Sequence, residues 1–270
     1  MDNINELKLY FGDPYQINDQ ITLYQPSINE IIEYGEAEFY SVLYMFIGNS
    51  TYYRLFLWDN GIDWNKISDY ELFCNLVSSL PLEKTKVFFG DIDFSKFSLY
   101  LKEDTEPEEE PDPDKKLSVI EKNKLGFRKF ERTHTLYNEE QEIEISSDVY
   151  HDLVTVMRRM FEMTPKTEYT IGKTSKELII EEERAKILRA SKEDSQSTLL
   201  PLVSFCVNHP GFKYKTSELR DIKINEFMDS VKRLQVYEST HALINGSYSG
   251  FCDTSKIPKE QFNFMRPINS

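Results

Sequence analysis

The chain has 270 residues, with 32 Lys and Arg against 46 Asp and Glu, a formal charge of −14 at pH 7. At 40% hydrophobic and 29% charged it can bury a real core, which excludes wholesale disorder and fibrous low-complexity architectures. An acidic surface of this kind repels nucleic acid as a whole. The basic groups at Lys115–Lys116, at Lys122–Lys129 with Arg128 and at Arg158–Arg159 are each diluted by neighbouring carboxylates, so no stripe releases counterions from phosphate.

In chain order, Leu7–Phe11 and Ile21–Tyr24 read as two short strands flanking the Gly12-Asp13-Pro14 turn. Ser27 with Glu30 three residues on forms a capping box. It opens helices whose apolar positions are Ile28, Ile31 and Ile32, then Phe39, Val42, Leu43 and Phe46, with Gly35 between them. Further helices are expected from Thr51 to about Trp58, and from Ser68 through Phe73, Leu76, Val77 and Leu80.

Residues 103–114 contain only acids, prolines and one threonine, a composition that resists both helix and sheet. The segment 103–116 therefore reads as an exposed linker between a hairpin-plus-helix unit, 1–102, and a second unit, 117–270. Beyond it, Gly126–Thr135 and Glu142–Ile145 read as a hairpin around Asn138-Glu139-Glu140. Ser147 caps a helix with Leu153, Val156, Met157, Met160 and Phe161 on its apolar face. Thr174–Ser191 is a charged helix with Leu178, Ile179, Ala185 and Leu188 expected inside, and Leu199–Val207 reads as a buried run. The longest helical pattern runs from Ile224 through Phe227, Met228, Val231, Leu234, Val236 and Leu243 to Gly246. The fold class expected is α+β, mainly α.

The chemical motifs fail in detail. Gly172-Lys173-Thr174 ends like a phosphate-binding loop, but position 167 is Thr where the first glycine is required. Gly246-Ser247-Tyr248-Ser249-Gly250 places Tyr where a nucleophile elbow needs Ser, and reads as a flexible turn. From Asp59, the sixth and twelfth positions of a calcium loop fall on Trp64 and Tyr70. Cys74, Cys206 and Cys252 are widely spaced and read as reduced thiols in a cytosolic setting; His134, His151, His209 and His241 are dispersed. No catalytic, cofactor-binding or metal-ligating residue is assigned. The start is acidic and polar, unlike a signal peptide, and no apolar run approaches the ~18 residues of a membrane span.

Two aromatic clusters stand out. Tyr52-Tyr53-Arg54-Leu55-Phe56-Leu57-Trp58 with Trp64 is the densest, and Phe262, Phe264 and Met265 lie beside Lys256, Lys259 and Arg266. Core packing accounts for the first, and docking on the chain's own core for the second. The alternative is a partner-binding patch, for which Trp58, Trp64, Phe262 and Met265 are the candidates, because large rings and basic groups dominate interface hot spots.

The strand Ile21–Tyr24 running into Gln25-Pro26-Ser27-Ile28-Asn29-Glu30 and a helical body resembles the strand–x-Pro–helix lead-in of tail assembly chaperones and small baseplate-assembly proteins of tailed bacteriophages. The run from Phe212 through Glu226-Phe227, Lys232-Arg233 and Gly246–Gly250 to Phe262-Asn263-Phe264-Met265 is similar to helical tails in proteins of phages infecting Gram-positive bacteria. The resemblance covers about a third of the chain. It implies a non-catalytic morphogenesis role, chaperone-like, with tape-measure, hub or baseplate proteins as partners and neither nucleic acid nor membrane. The location implied is the cytoplasm of an infected host or the virion. A permanent virion subunit, an enzyme with a metal-assisted site at Asp59, Asp63 or Asp91, and an acidic DNA mimic are the alternatives.

Overall fold

A computed structural model describes residues 4–102, 117–191, 196–250 and 254–268. The acidic segment 103–116 and Cys252 lie outside the described residues. In chain order the elements are α1 (Glu6–Tyr10), β1 (Tyr15–Gln16), β2 (Thr22–Leu23), α2 (Ile28–Tyr34), α3 (Glu36–Ile47), α4 (Arg54–Asp59), α5 (Asp69–Val77) and α6 (Leu82–Phe89). There follow β3 (Ser98–Leu101), α7 (Val119–Thr133), β4 (His134–Asn138), β5 (Ile143–Ile145), α8 (Ser147–Met160), α9 (Lys173–Ala190), α10 (Leu199–Asn208), α11 (Thr216–Leu219) and α12 (Ile224–Tyr248). With 58% helix and 7% strand in two small antiparallel sheets, the fold is α+β and mainly α.

The chain forms two compact units that interleave in sequence. The first holds residues 1–4, 14–24 and 37–196; the second holds 5–13, 25–36 and 197–270. Segment 103–116 therefore falls within the span of the first unit, where β3 before it pairs antiparallel with β4 after it.

The first unit is organised by a cluster of packed rings. Phe46 of α3 packs on Phe89 at a 4.8 Å centroid separation, on Phe94 at 5.1 Å, and on Phe73 and Phe88 at 6.1 Å. Phe39, one helical row away, continues the cluster to Phe88 and Phe161, and Phe73 continues it to Tyr150 of α8. Tilted and edge-on geometries dominate, as ring quadrupoles favour. Tyr70 of α5 is buried and donates from its hydroxyl to the Ile145 carbonyl at 2.7 Å, fastening β5 to this core. β3, β4 and β5 form one sheet in that order, with Leu136, Ile143 and Ile145 on its buried face.

In the second unit, the expected capping box at α2 is present: the Glu30 amide donates to Ser27 Oγ at 3.2 Å and the Ser27 amide to Glu30 Oε2 at 2.6 Å. The amides of Ile28 and Asn29, orphaned at the helix start, donate to the carbonyls of Ile222 and Arg220. α10 lacks a side-chain cap of its own; the Glu36 carboxylate accepts from the Thr198 and Leu199 amides at 2.6 and 2.8 Å instead. That places a negative charge at the positive end of the helix.

Several expectations are corrected. Leu7–Tyr10 lies in helix α1 with Phe11 as its C-cap, because Asn5 caps the helix start and only Leu9 turns inward, leaving Leu7 and Phe11 in solvent. The first hairpin is instead β1 with β2. Residues 126–133 belong to α7, begun by a Ser118–Glu121 capping box, so the second hairpin's first strand starts at His134. The α8 cap is Ser146, one residue earlier than expected. On α9 the buried residue is Ile180, while Leu178 and Leu188 are exposed. α10 is a helix that buries only Leu199 and Cys206. Gly246 and Ser247 lie inside α12, which ends after Tyr248.

Phe46→Ala should lower the stability of the first unit by about 3–5 kcal/mol, since four rings lose their common neighbour. Leu188→Ala, at an exposed position, should stay within about 0.5 kcal/mol. Urea denaturation followed by circular dichroism measures both; equal midpoints for the two variants would refute the ring-centred core.

Candidate interaction surfaces

Trp58 and Trp64, the chain's two tryptophans, meet edge-on at 5.8 Å where α9 docks on α4 and the loop after it. Trp64 is 2% exposed and packs with Leu57, Ile67, Leu72 and Ile180; Trp58 is half-buried against the same cluster. Lys176, Ile180 and Glu183 recur at helical spacing, so they form the single face of α9 that meets this cluster. Lys176 Nζ contacts both Asp63 carboxylate oxygens, at 2.7 and 2.6 Å, and lies 5.3 Å from the centre of the Trp64 ring. Arg54 bonds Glu183 and, at 2.7 Å, Glu168; Arg184 bonds Asp59.

The Asp59 and Asp63 carboxylates considered for metal binding are thus engaged by cations of α9. Among the described residues, no three His, Cys, Asp or Glu side chains gather as a metal site. Burial favours the neutral form of Glu183, but the hydrogen bond and charge of Arg54, aided by Lys186, outweigh it and hold the carboxyl below its ordinary range. Burial pushes the Cys74 thiol up to about 12 and the Cys206 thiol up to about 11, so both are poor nucleophiles near neutrality. Gly172 serves as the residue before α9, at φ 92°, with no second glycine behind it to wrap a phosphate.

The C-terminal residues of the second unit dock on α12. Arg266 is buried; its guanidinium donates to Thr240 Oγ1 at 3.0 Å, the Gln261 carbonyl at 2.7 Å and Ser239 Oγ at 3.1 Å. Arg233 of α12 answers with bonds to the carbonyls of Phe264 and Arg266. Phe264 packs on Tyr237, Phe262 is half-buried, and Met265 is left 85% exposed. Of the four residues singled out in the sequence, Met265 alone is presented openly to solvent.

Two apolar surfaces were not legible as such. α10 has no charged side chain, yet Leu200 is 65% exposed, with Phe205 and Val207 also in solvent. β3 is exposed along its whole length, with Leu99 and Leu101 on the face that continues to Leu136. Among the described residues, no helix is long and apolar enough to cross a membrane.

Glu183→Gln should weaken α9 docking by about 1–3 kcal/mol near neutral pH, because Arg54 loses a charged acceptor. The Glu183 carboxyl is depressed in the folded state. Its stabilisation is therefore complete above the ordinary glutamate value of about 4.3 and is lost as pH falls through the lower, folded value. Both tryptophans report on the junction, so emission during urea unfolding should separate the variant from the wild type at pH 7 and merge them in strong acid. Coincident curves at pH 7 would show that the ion pair contributes nothing.

Comparison of the chain with protein-family models, with curated proteins and with solved structures returned no match.

Proposed function

We propose that the chain is a non-catalytic morphogenesis protein of a tailed bacteriophage, acting by protein–protein contact in tail or baseplate assembly. Its partners in this reading are tape-measure, hub or baseplate proteins, met in the cytoplasm of the infected host. The observation that carries the protein-binding part is α10, an uncharged helix of ten residues that leaves Leu200, Phe205 and Val207 in water. Leu200 and Val207, seven residues apart, share one helical face, with Phe205 at the far margin of the exposed surface, and exposed apolar groups of this kind mark a surface that a partner covers. The phage context rests on the resemblance of Ile21–Glu30 and of the run from Phe212 to Met265 to tail-assembly proteins.

The net charge of −14 adds a kinetic component. An acidic chain meets a basic partner faster than diffusion alone allows, and the advantage falls as salt screens it.

Purification of the tagged full chain from infected cells at low salt should bring down a tail or baseplate protein. Raised salt should reduce the yield, and Leu200→Glu should reduce it several-fold. Mass spectrometry of finished particles should lack the chain; stoichiometric copies there would replace the chaperone-like role by that of a permanent virion subunit. Recovery of no morphogenetic protein at low salt would overturn the reading.

A further inference from the structure

Helix α7 carries the reverse of the chain's overall charge. Between Val119 and Thr133 it holds five cations, Lys122, Lys124, Arg128, Lys129 and Arg132, against two carboxylates, Glu121 and Glu131. The sequence mixes the two signs; the structure separates them. Glu121 turns back to accept from the Ser118 amide at 2.8 Å, closing the capping box. Glu131 is half-buried, 3.9 Å from the His151 imidazole. All five cations are exposed, and among the described residues none has a carboxylate partner.

Helical geometry sorts these groups by face. Asn123, Phe127 and Phe130 recur at i, i+4 and i+7 and form the inner face. Phe130 meets Tyr70 edge-on at 6.0 Å and stacks on His134 at 4.2 Å. Asn123 Nδ2 donates to the Asn65 carbonyl and to the Tyr169 hydroxyl, each at 3.1 Å. On the outer face Lys124, Arg128 and Arg132 stand four residues apart in one row; Lys122 and Lys129, seven apart, form another. Leu125, 39% exposed, lies between the rows.

The arrangement opposes the helix that carries it. Like charges at i, i+4 repel, so Lys124 with Arg128 and Arg128 with Arg132 both destabilise α7. Burial offsets little of this, since no residue of α7 is fully buried. An anion bound across the rows relieves the repulsion.

The size of the face selects the anion. Lys124 to Arg132 spans about 12 Å of helix. A nucleic-acid strand carries its charge far beyond that length, onto a chain of net charge −14. The outer-face residues also include no ring on which a base could stack. A short run of protein carboxylates fits the rows, and an apolar side chain among them meets Leu125. With a Debye length of ~8 Å at physiological salt, a partner touching α7 senses these cations far more than remote carboxylates.

We propose that the outer face of α7 docks an acidic segment of a partner protein, its carboxylates on the two cationic rows and an apolar side chain on Leu125. The proposal depends neither on α10 nor on the phage context.

The test uses the full chain and a fluorescein-labelled peptide with one leucine between two runs of three glutamates. Fluorescence anisotropy should report binding that weakens as salt is raised, and hydrogen exchange should slow at the α7 amides when the peptide is added. Arg128→Glu puts opposite charges at i, i+4 on both sides. It should therefore keep or raise the thermal midpoint while weakening peptide binding at least tenfold. A purely structural role for Arg128 would move both readouts together. Lys213→Glu, at an exposed residue outside α7, changes the net charge equally and should leave binding within twofold. A peptide with serine for the leucine should bind several-fold more weakly.

Absence of peptide binding by the full chain, wild-type binding by the Arg128→Glu chain, or unchanged exchange at α7 would each overturn the proposal. Equal losses in the Arg128→Glu and Lys213→Glu chains would do the same, by reducing the effect to net charge. Tighter binding of a thymidine oligonucleotide of equal charge would assign the face to nucleic acid instead. A dimer in light scattering that Arg128→Glu dissolves would assign it to a second copy of this chain, and either result overturns the proposal.

Discussion

The packing of Phe46 against four other rings is the constraint on which the first unit depends. Phe73, Phe88, Phe89 and Phe94 come from α5, α6 and the turn after it, and none of these short elements would persist alone. α6 has no side-chain cap, and its apolar face is little more than Phe88 and Phe89. Its helical state is therefore a consequence of tertiary burial rather than of local propensity. Large rings suit this task because each contributes much apolar area with few rotatable bonds. With the ring cluster in place, Tyr70 ties the sheet to it, and α8 joins through Tyr150, which packs on both Tyr70 and Phe73.

Where apolar area is scarce, ion pairs position the remaining pieces. α9 buries one apolar residue, Ile180, and relies on Arg54, Lys176 and Arg184 to find its place. Lys176 and Asp63 are mostly shielded from water, which limits screening, whereas Arg184 and Asp59 are open to it. In the second unit Arg266 plays the corresponding part for the C-terminal residues, satisfying three oxygens on or beside α12 from one buried guanidinium. A planar fork of donors can do this; an ammonium group cannot match its geometry.

Helices with a wide apolar stripe were legible in the sequence. Phe39, Val42, Leu43 and Phe46 in α3, and Leu153, Val156, Met157, Met160 and Phe161 at α8, are all buried as their spacing requires. Alternation over a few residues was a poorer guide. Leu7, Leu9 and Phe11 alternate like a strand, but the Asn5 cap commits the segment to a helix. Gly126 to Thr135 misled for the same reason: the Ser118–Glu121 box eight residues upstream starts a helix that carries through Gly126. That box was readable, as the one at Ser27 was. The docking face of α9 was not, because Lys176 and Glu183 find their partners more than a hundred residues away. Of the four site residues, burial removes Trp64 into the core, and no pattern in the sequence distinguishes it from Met265.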